Sequence, residues 1–156
     1  YLSGKTIFKN IELIASLGDP EALNTLGIGT VMGYTNFKKY DCVWIFEKAA
    51  QAGSIHAQFN LVFAGGMKLK GYTDADRKKA IDGFTAFIQT ADSATLVTAV
   101  EIASEMGVSR DIVNGKRKEW YWYDAMPKSL IFDMLKRSAA QGNTNATGLM
   151  KIKYFD

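Results

Sequence analysis

Few residues in this chain could serve as a nucleophile or a general base. Cys42 is the only cysteine and His56 the only histidine, so the chain can form neither an internal disulfide nor a zinc site of several such ligands. His56 stands at the start of a predicted helix without the partners of a catalytic triad, which favours a capping or surface role. Cys42 lies beside Val43 on a predicted helix, which favours a buried, unreactive thiol.

The acidic residues and the glycines give no catalytic pattern either. Asp74 and Asp76 precede a predicted helix and are better placed to cap it than to bind calcium. Gly27, Gly29 and Gly33 follow no predicted strand and lack the spacing of a dinucleotide-binding loop. We therefore expect no enzyme activity, no cofactor and no metal ion.

One segment has a different chemistry. Lys116, Arg117 and Lys118 run directly into an aromatic stretch that includes Trp120 and Trp122. Basic residues beside aromatic ones can bind a protein partner or stack nucleobases, or the aromatic rings can fill a gap in the core. Because the net charge is only +3, we expect no nucleic acid, and the sequence leaves open whether this segment binds a protein partner or fills the core.

The amino-acid composition indicates what kind of secondary structure positions these residues. Of 156 residues, 47% are hydrophobic, only two are proline and fourteen are glycine. Such a chain can bury a core, and its length suits one domain of helices separated by glycine-marked turns. No apolar run approaches the roughly 20 residues that span a bilayer.

Three segments of the chain repeat one pattern, Ala-x-x-Gly-x-x-x-Ala-x-x-x-(Leu or Met). The glycines are Gly18, Gly53 and Gly142. A glycine at a helix end can adopt the left-handed conformation that side chains resist. The polar residues that follow can cap the next helix; they are Asp19, Ser54 and Asn143. The pattern therefore predicts a turn between two helices at each glycine.

The spacing of these turns predicts the architecture. Gly18 and Gly53 lie 35 residues apart, close to the period of helical-hairpin repeats. The longer interval to Gly142 leaves room for a divergent repeat at about 72–106, with Ala91 in the glycine position, and an insertion at about 107–125. We predict an all-α fold, a right-handed α-solenoid of about four stacked antiparallel hairpins. The predicted helices span residues 5–17, 21–33, 40–52, 56–68, 75–90, 93–106, 127–141 and 144–154, with bounds uncertain by about three residues.

Residues 48–62 (KAAQAGSIHAQFNLV) and 136–150 (KRSAAQGNTNATGLM) resemble the Sel-one-like repeat, a relative of the tetratricopeptide repeat. Residues 18–27 (GDPEALNTLG) match the second half of that repeat. The loop GYTNFKKYD, from Gly33 to Asp41, departs from the family pattern. The resemblance implies a divergent, single-domain member spanning 1–156. Members of the family are chiefly adaptors and scaffolds; some are associated with carbohydrate-active enzymes, and bacterial ones include periplasmic proteins that neutralise secretion-system toxins.

We therefore expect a non-enzymatic protein–protein interaction module. Its most concrete role is a bacterial immunity or inhibitor protein that binds a toxin, as in type VI secretion. The alternatives are a scaffold, adaptor or regulator in an envelope or signalling complex, and a carbohydrate-active enzyme. The chain begins at Tyr1 without methionine, so we expect that an upstream segment was removed, which favours a periplasmic over a cytoplasmic location.

Aromatic residues near the predicted inter-helix loops are further candidates for partner binding. They are Tyr34, Phe37, Tyr40 and Tyr72. Large aromatic side chains there can hold an extended peptide or a partner's loop. Trp44 also lies near these loops and could bind a partner in the same way, although we expect it in the core.

Overall fold

A computed structural model describes residues 4–66, 71–105, 109–113, 116–120 and 128–151. This part of the chain contains eight α-helices, and all eight predicted helices are confirmed. The last ends at Met150, four residues before its predicted end. The helices are α1 (Gly4–Ala15), α2 (Pro20–Val31), α3 (Cys42–Gln51), α4 (Ile55–Gly66), α5 (Asp74–Thr90), α6 (Ser93–Glu105), α7 (Lys128–Ala140) and α8 (Thr144–Met150).

The insertion between α6 and α7 contains a two-stranded antiparallel hairpin. Its strands are β1 (Ser109–Val113) and β2 (Lys116–Trp120), and the pairing runs from Ser109 with Trp120 to Val113 with Lys116. The all-α class is confirmed by the eight helices, but these short strands were not expected. The sequence does carry a signal for them, because Asn114-Gly115 is a dipeptide typical of two-residue hairpin turns.

The chain divides into two compact units, Tyr1–Ile81 and Asp82–Asp156. In the first unit α2 packs against both α1 and α3, and α4 packs against α3. In the second unit α7 packs against α6 and α8. No helix in the described residues is long and apolar enough to cross a membrane. The single-domain assignment stays a prediction.

The three repeated glycines end their helices as the pattern predicts. Gly18, Gly53 and Gly142 have φ of +84°, +110° and +92°. After α3, the Gly53 amide donates to the Ala50 carbonyl and the Ser54 amide donates to the Ala49 carbonyl. These two bonds form a Schellman motif, which satisfies carbonyls that the end of a helix otherwise leaves free.

The residue after each glycine caps the next helix. Its side-chain oxygen accepts a hydrogen bond from the backbone amide of the second alanine in the pattern. The bonds run from the amides of Ala22, Ala57 and Ala146 to the side chains of Asp19, Ser54 and Asn143, at 2.7, 3.2 and 3.3 Å respectively. The predicted equivalence of the three turns is therefore confirmed at the level of single hydrogen bonds.

The divergent turn after α5 keeps the cap without the glycine. Asp92, which follows Ala91, accepts a bond from the Thr95 amide at 2.8 Å. The guanidinium of Arg137 on α7 donates to the carbonyls of Gln89 and Ala91. A tertiary contact thus satisfies carbonyls at this helix end, where the turn has no glycine.

Two glycines of α2 allow close packing of aromatic rings. Ile45 lies in a buried cluster with Ala15 and Leu26. Beside this cluster, a Cβ atom added to Gly27 would overlap the ring of Phe46, and one added to Gly29 would overlap the ring of Phe8. The Gly-x-Gly pattern that resembles part of a nucleotide-binding loop is therefore required by helix packing.

We predict that Gly27→Ala destabilises the protein, although alanine normally favours a helix. Overpacking costs about 1–3 kcal/mol, more than the roughly 1 kcal/mol that alanine gains over glycine inside a helix. The matched control is Gly83→Ala on α5, where an added Cβ meets nothing within 4 Å. Urea unfolding should show a net loss of up to about 2 kcal/mol for Gly27→Ala and a gain of about 0.5–1 kcal/mol for Gly83→Ala. Equal effects of the two variants would contradict the packing.

Candidate functional site

The exposed aromatic residues of the first unit fall into three groups of contacts. The first lies between α1 and the loop after α2. Tyr34 is 40% exposed, and its ring stacks on that of Phe8 with centroids 5.5 Å apart and planes 23° apart. A pocket of about 200 Å³ lies beside this pair; it is lined by Phe8, Lys9, Glu12, Tyr34, Thr35 and Asn36. The lining of this pocket thus combines the stacked aromatic pair with one positive side chain, Lys9, and one negative side chain, Glu12.

The second group is centred on Trp44, and we call Phe37, Trp44 and Lys48 the Trp44 cluster. The Phe37 ring meets the Trp44 ring edge-on, with centroids 5.8 Å apart and planes at 82°. Phe37 also packs against the core cluster that contains Ile45. The Lys48 ammonium lies 5.0 Å from the centroid of the Trp44 ring, within the range of a cation–π interaction.

The prediction that Trp44 belongs to the core is wrong. Its side chain is 39% exposed. Helical periodicity explains the error, because Val43 and Ile45 on either side are buried while position 44 points from another face of α3. Trp44 is therefore an exposed tryptophan held by two neighbours, which makes it a candidate for partner binding.

The third group joins Tyr40 and Tyr72 to the start of α5. The Tyr40 hydroxyl donates to Asp76 at 3.2 Å, and its ring lies against Gly71, which has φ of +91°. The Tyr72 hydroxyl donates to the Leu61 carbonyl at 3.1 Å. These tyrosines thus fasten the segment before α5 onto the helices of the first unit.

Asp76 is part of the cap of α5, as predicted. Its carboxylate accepts bonds from the Thr73 amide and hydroxyl, both at 2.9 Å, and the Asp76 amide donates to the Thr73 hydroxyl at 3.2 Å. These bonds from Thr73, together with the one from Tyr40, lower the pKa of Asp76. Burial, together with the charge of Asp76, raises the pKa of Tyr72 to about 12. Among the described residues no group of three or more potential ligands could hold a metal ion.

Cys42 and His56, the two residues considered for catalysis, both lie in surroundings that fit a structural role. Cys42 is completely buried, and burial followed by the charge of Asp41 raises the pKa of its thiol to about 11. The predicted buried thiol is therefore confirmed. The His56 side chain is 46% exposed, and its Nδ1 lies 3.5 Å from a Glu21 carboxylate oxygen, which fits the surface role expected for it.

The basic residues of the insertion lie on β2. In the register of the hairpin, Lys116 pairs with Val113, Arg117 with Ile112, Lys118 with Asp111 and Trp120 with Ser109. Trp122 falls outside the residues that the structure describes. Partner binding by this segment stays a prediction.

Comparison with known proteins gives no relative for this chain. No protein-family model matches it, and it has no significant match to a curated protein or to a solved structure.

We predict that Cys42 does not react with Ellman's reagent in the folded protein at pH 8. A thiol pKa near 11 leaves roughly a hundredth of the thiolate that an ordinary cysteine has, and burial also blocks access. The reaction should be at least about a hundredfold slower than in 6 M guanidinium chloride, where the thiol is exposed. Complete modification of the native protein within a minute would contradict this burial.

Proposed function

We propose that this protein is a non-enzymatic protein-binding module whose hairpins stack as a right-handed α-solenoid of about four repeats. The repeated glycine-and-cap turn supports this architecture, since identical turns give successive hairpins the same geometry. The packing of α2 between α1 and α3 supports it as well, because stacked hairpins bury their shared faces against their neighbours.

The outer face of α1 adds a second line of support. Ile7 and Ile14 on α1 occupy the repeat positions of Cys42 and Ala49 on α3, 35 residues later. Cys42 and Ala49 are fully buried, whereas Ile7 and Ile14 are 44% and 49% exposed. α1 therefore presents the same apolar stripe that α3 buries inside the unit, as stacking of equivalent hairpins requires.

We predict that backbone N–H residual dipolar couplings from all the helices fit a single alignment tensor. A solenoid is one continuous body, so α1–α4 and α6–α8 share one orientation frame. The helix directions derived from the couplings should also progress with a right-handed rotation from hairpin to hairpin. Two distinct tensors, one for each unit, would contradict a continuous solenoid.

Protein binding is supported above all by the Trp44 cluster. Tryptophan is enriched among residues that dominate binding energy, and Trp44 keeps 39% of its surface exposed. Because Phe37 and Lys48 already hold its ring, little side-chain entropy remains to be lost when a partner binds. The cluster therefore has the composition and the rigidity of an interface hot spot.

The most concrete form of this role is a bacterial immunity or inhibitor protein that occludes a cognate secreted toxin. The resemblance of residues 48–62 and 136–150 to Sel-one-like repeats favours it, since some bacterial members of that family have this role. The alternative is a scaffold, adaptor or regulator in an envelope or signalling complex. The two roles differ in phenotype, because only loss of an immunity protein exposes cells to a toxin.

We predict that the chain restores growth to cells that express the toxin encoded beside its gene, and that Trp44→Ala weakens binding of that toxin at least about tenfold. Isothermal titration calorimetry with the purified pair measures the affinity. The matched control is Leu17→Ala, which also truncates an apolar side chain, one that is 84% exposed, and it should change the affinity less than about threefold.

Two results would count against this proposal in different ways. If the chain neither binds a neighbouring toxin nor restores growth, the immunity role is wrong. If it instead forms a lasting complex with a cellular protein and its loss causes no toxicity, the scaffold role is favoured. Equal binding by wild-type protein and Trp44→Ala would remove the Trp44 cluster from the interface.

A further inference from the structure

The Trp44 cluster lies next to several basic side chains. Lys48 covers part of the Trp44 ring and is exposed, as are Lys38 and Lys39. Lys38 directly follows Phe37, whose ring contacts Trp44, and Lys39 begins the short 3₁₀ helix that leads into α3. The Trp44 cluster and the 3₁₀ segment before α3 thus carry three ammonium groups, those of Lys38, Lys39 and Lys48.

The acidic residues on the same elements are already engaged. The Asp41 carboxylate accepts a hydrogen bond from the Lys38 backbone amide at 2.8 Å. The Glu47 carboxylate pairs with Lys79 of α5 at 2.8 Å. Within the described part of the chain, no carboxylate forms an ion pair with the ammonium groups of Lys38, Lys39 or Lys48. Even with the negative charge that Asp41 keeps, the elements that carry the Trp44 cluster have an excess of positive charge, and one of these charges, Lys48, lies at the Trp44 ring.

We propose that this surface binds an acidic segment of a partner protein that inserts one apolar side chain beside Trp44. The inference rests on the proposed protein-binding function and specifies the chemistry of the partner. Carboxylates of the segment pair with Lys38, Lys39 and Lys48, which steers association and fixes orientation. The apolar side chain covers Trp44 and excludes water from these pairs, which strengthens them.

The position of Lys48 favours a protein over a nucleic acid at this surface. Binding of a single strand relies on bases that stack on the open face of an aromatic ring. Here the Lys48 ammonium lies over the Trp44 ring and the Phe37 ring meets its edge. On the face of the ring that Lys48 covers, a base would have to displace the ammonium in order to stack, whereas a carboxylate can pair with Lys48 where it lies.

Selection from a random 12-residue peptide library displayed on phage tests this inference. The wild-type protein is the target, and the Trp44→Ala protein serves for counter-selection. The enriched peptides should carry several Asp or Glu residues around one aromatic or large aliphatic residue. Measured by fluorescence anisotropy, their affinity for the wild-type protein should fall at least about tenfold with Lys48→Glu and stay within about threefold with Lys48→Arg. It should also weaken as salt rises.

The control variant Lys136→Glu makes the same charge change at an exposed residue of α7 and should leave affinity within about threefold. Because Lys48 is exposed, its variants retain the fold, and a circular-dichroism melt verifies this. Enrichment of basic or neutral peptides, equal binding to Lys48→Glu, absence of any enriched peptide, or tighter binding of a single-stranded oligonucleotide would overturn the inference. Each of these results leaves the capture of a toxin as a separate test of the proposed function.

Discussion

The rest of the fold depends on how the chain reverses between helices. At Gly53 the backbone takes φ of +110°, a conformation that a side chain disfavours, and the next residue, Ser54, caps the following helix. The reversal takes only a few residues, so the two helices must lie side by side and bury their facing stripes. Gly18 and Gly142 repeat the same arrangement, and the apolar patterns of the helices follow from it.

The parts of the structure that the sequence predicts are those that depend on local chemistry. A glycine followed by a polar residue determines helix ends within a few residues, so the eight helices and the three equivalent turns could be predicted from the residue pattern. Burial of Cys42 follows in the same way from its apolar neighbours. The helix cap at Asp92 could be predicted as well, because Asp92 follows Ala91 as Ser54 follows Gly53.

Features that depend on distant contacts could not be predicted in this way. The bond from Arg137 to the end of α5 joins residues 46 and 48 positions apart, and no local pattern contains it. The space that Gly27 leaves for Phe46 likewise becomes visible only when the two helices are together. The exposure of Trp44 is a different case, because the helical period of α3 places it opposite the buried residues and the prediction of burial did not apply that period.

We propose that the protein binds its partner through the face that carries Trp44. Hydrogen–deuterium exchange of the protein, free and bound to the partner that it captures, tests this claim most directly. We predict slower amide exchange on binding in residues 36–48, where the loop joins α3. Protection confined to residues 109–120 would assign binding to the β-hairpin of the insertion and would contradict the account.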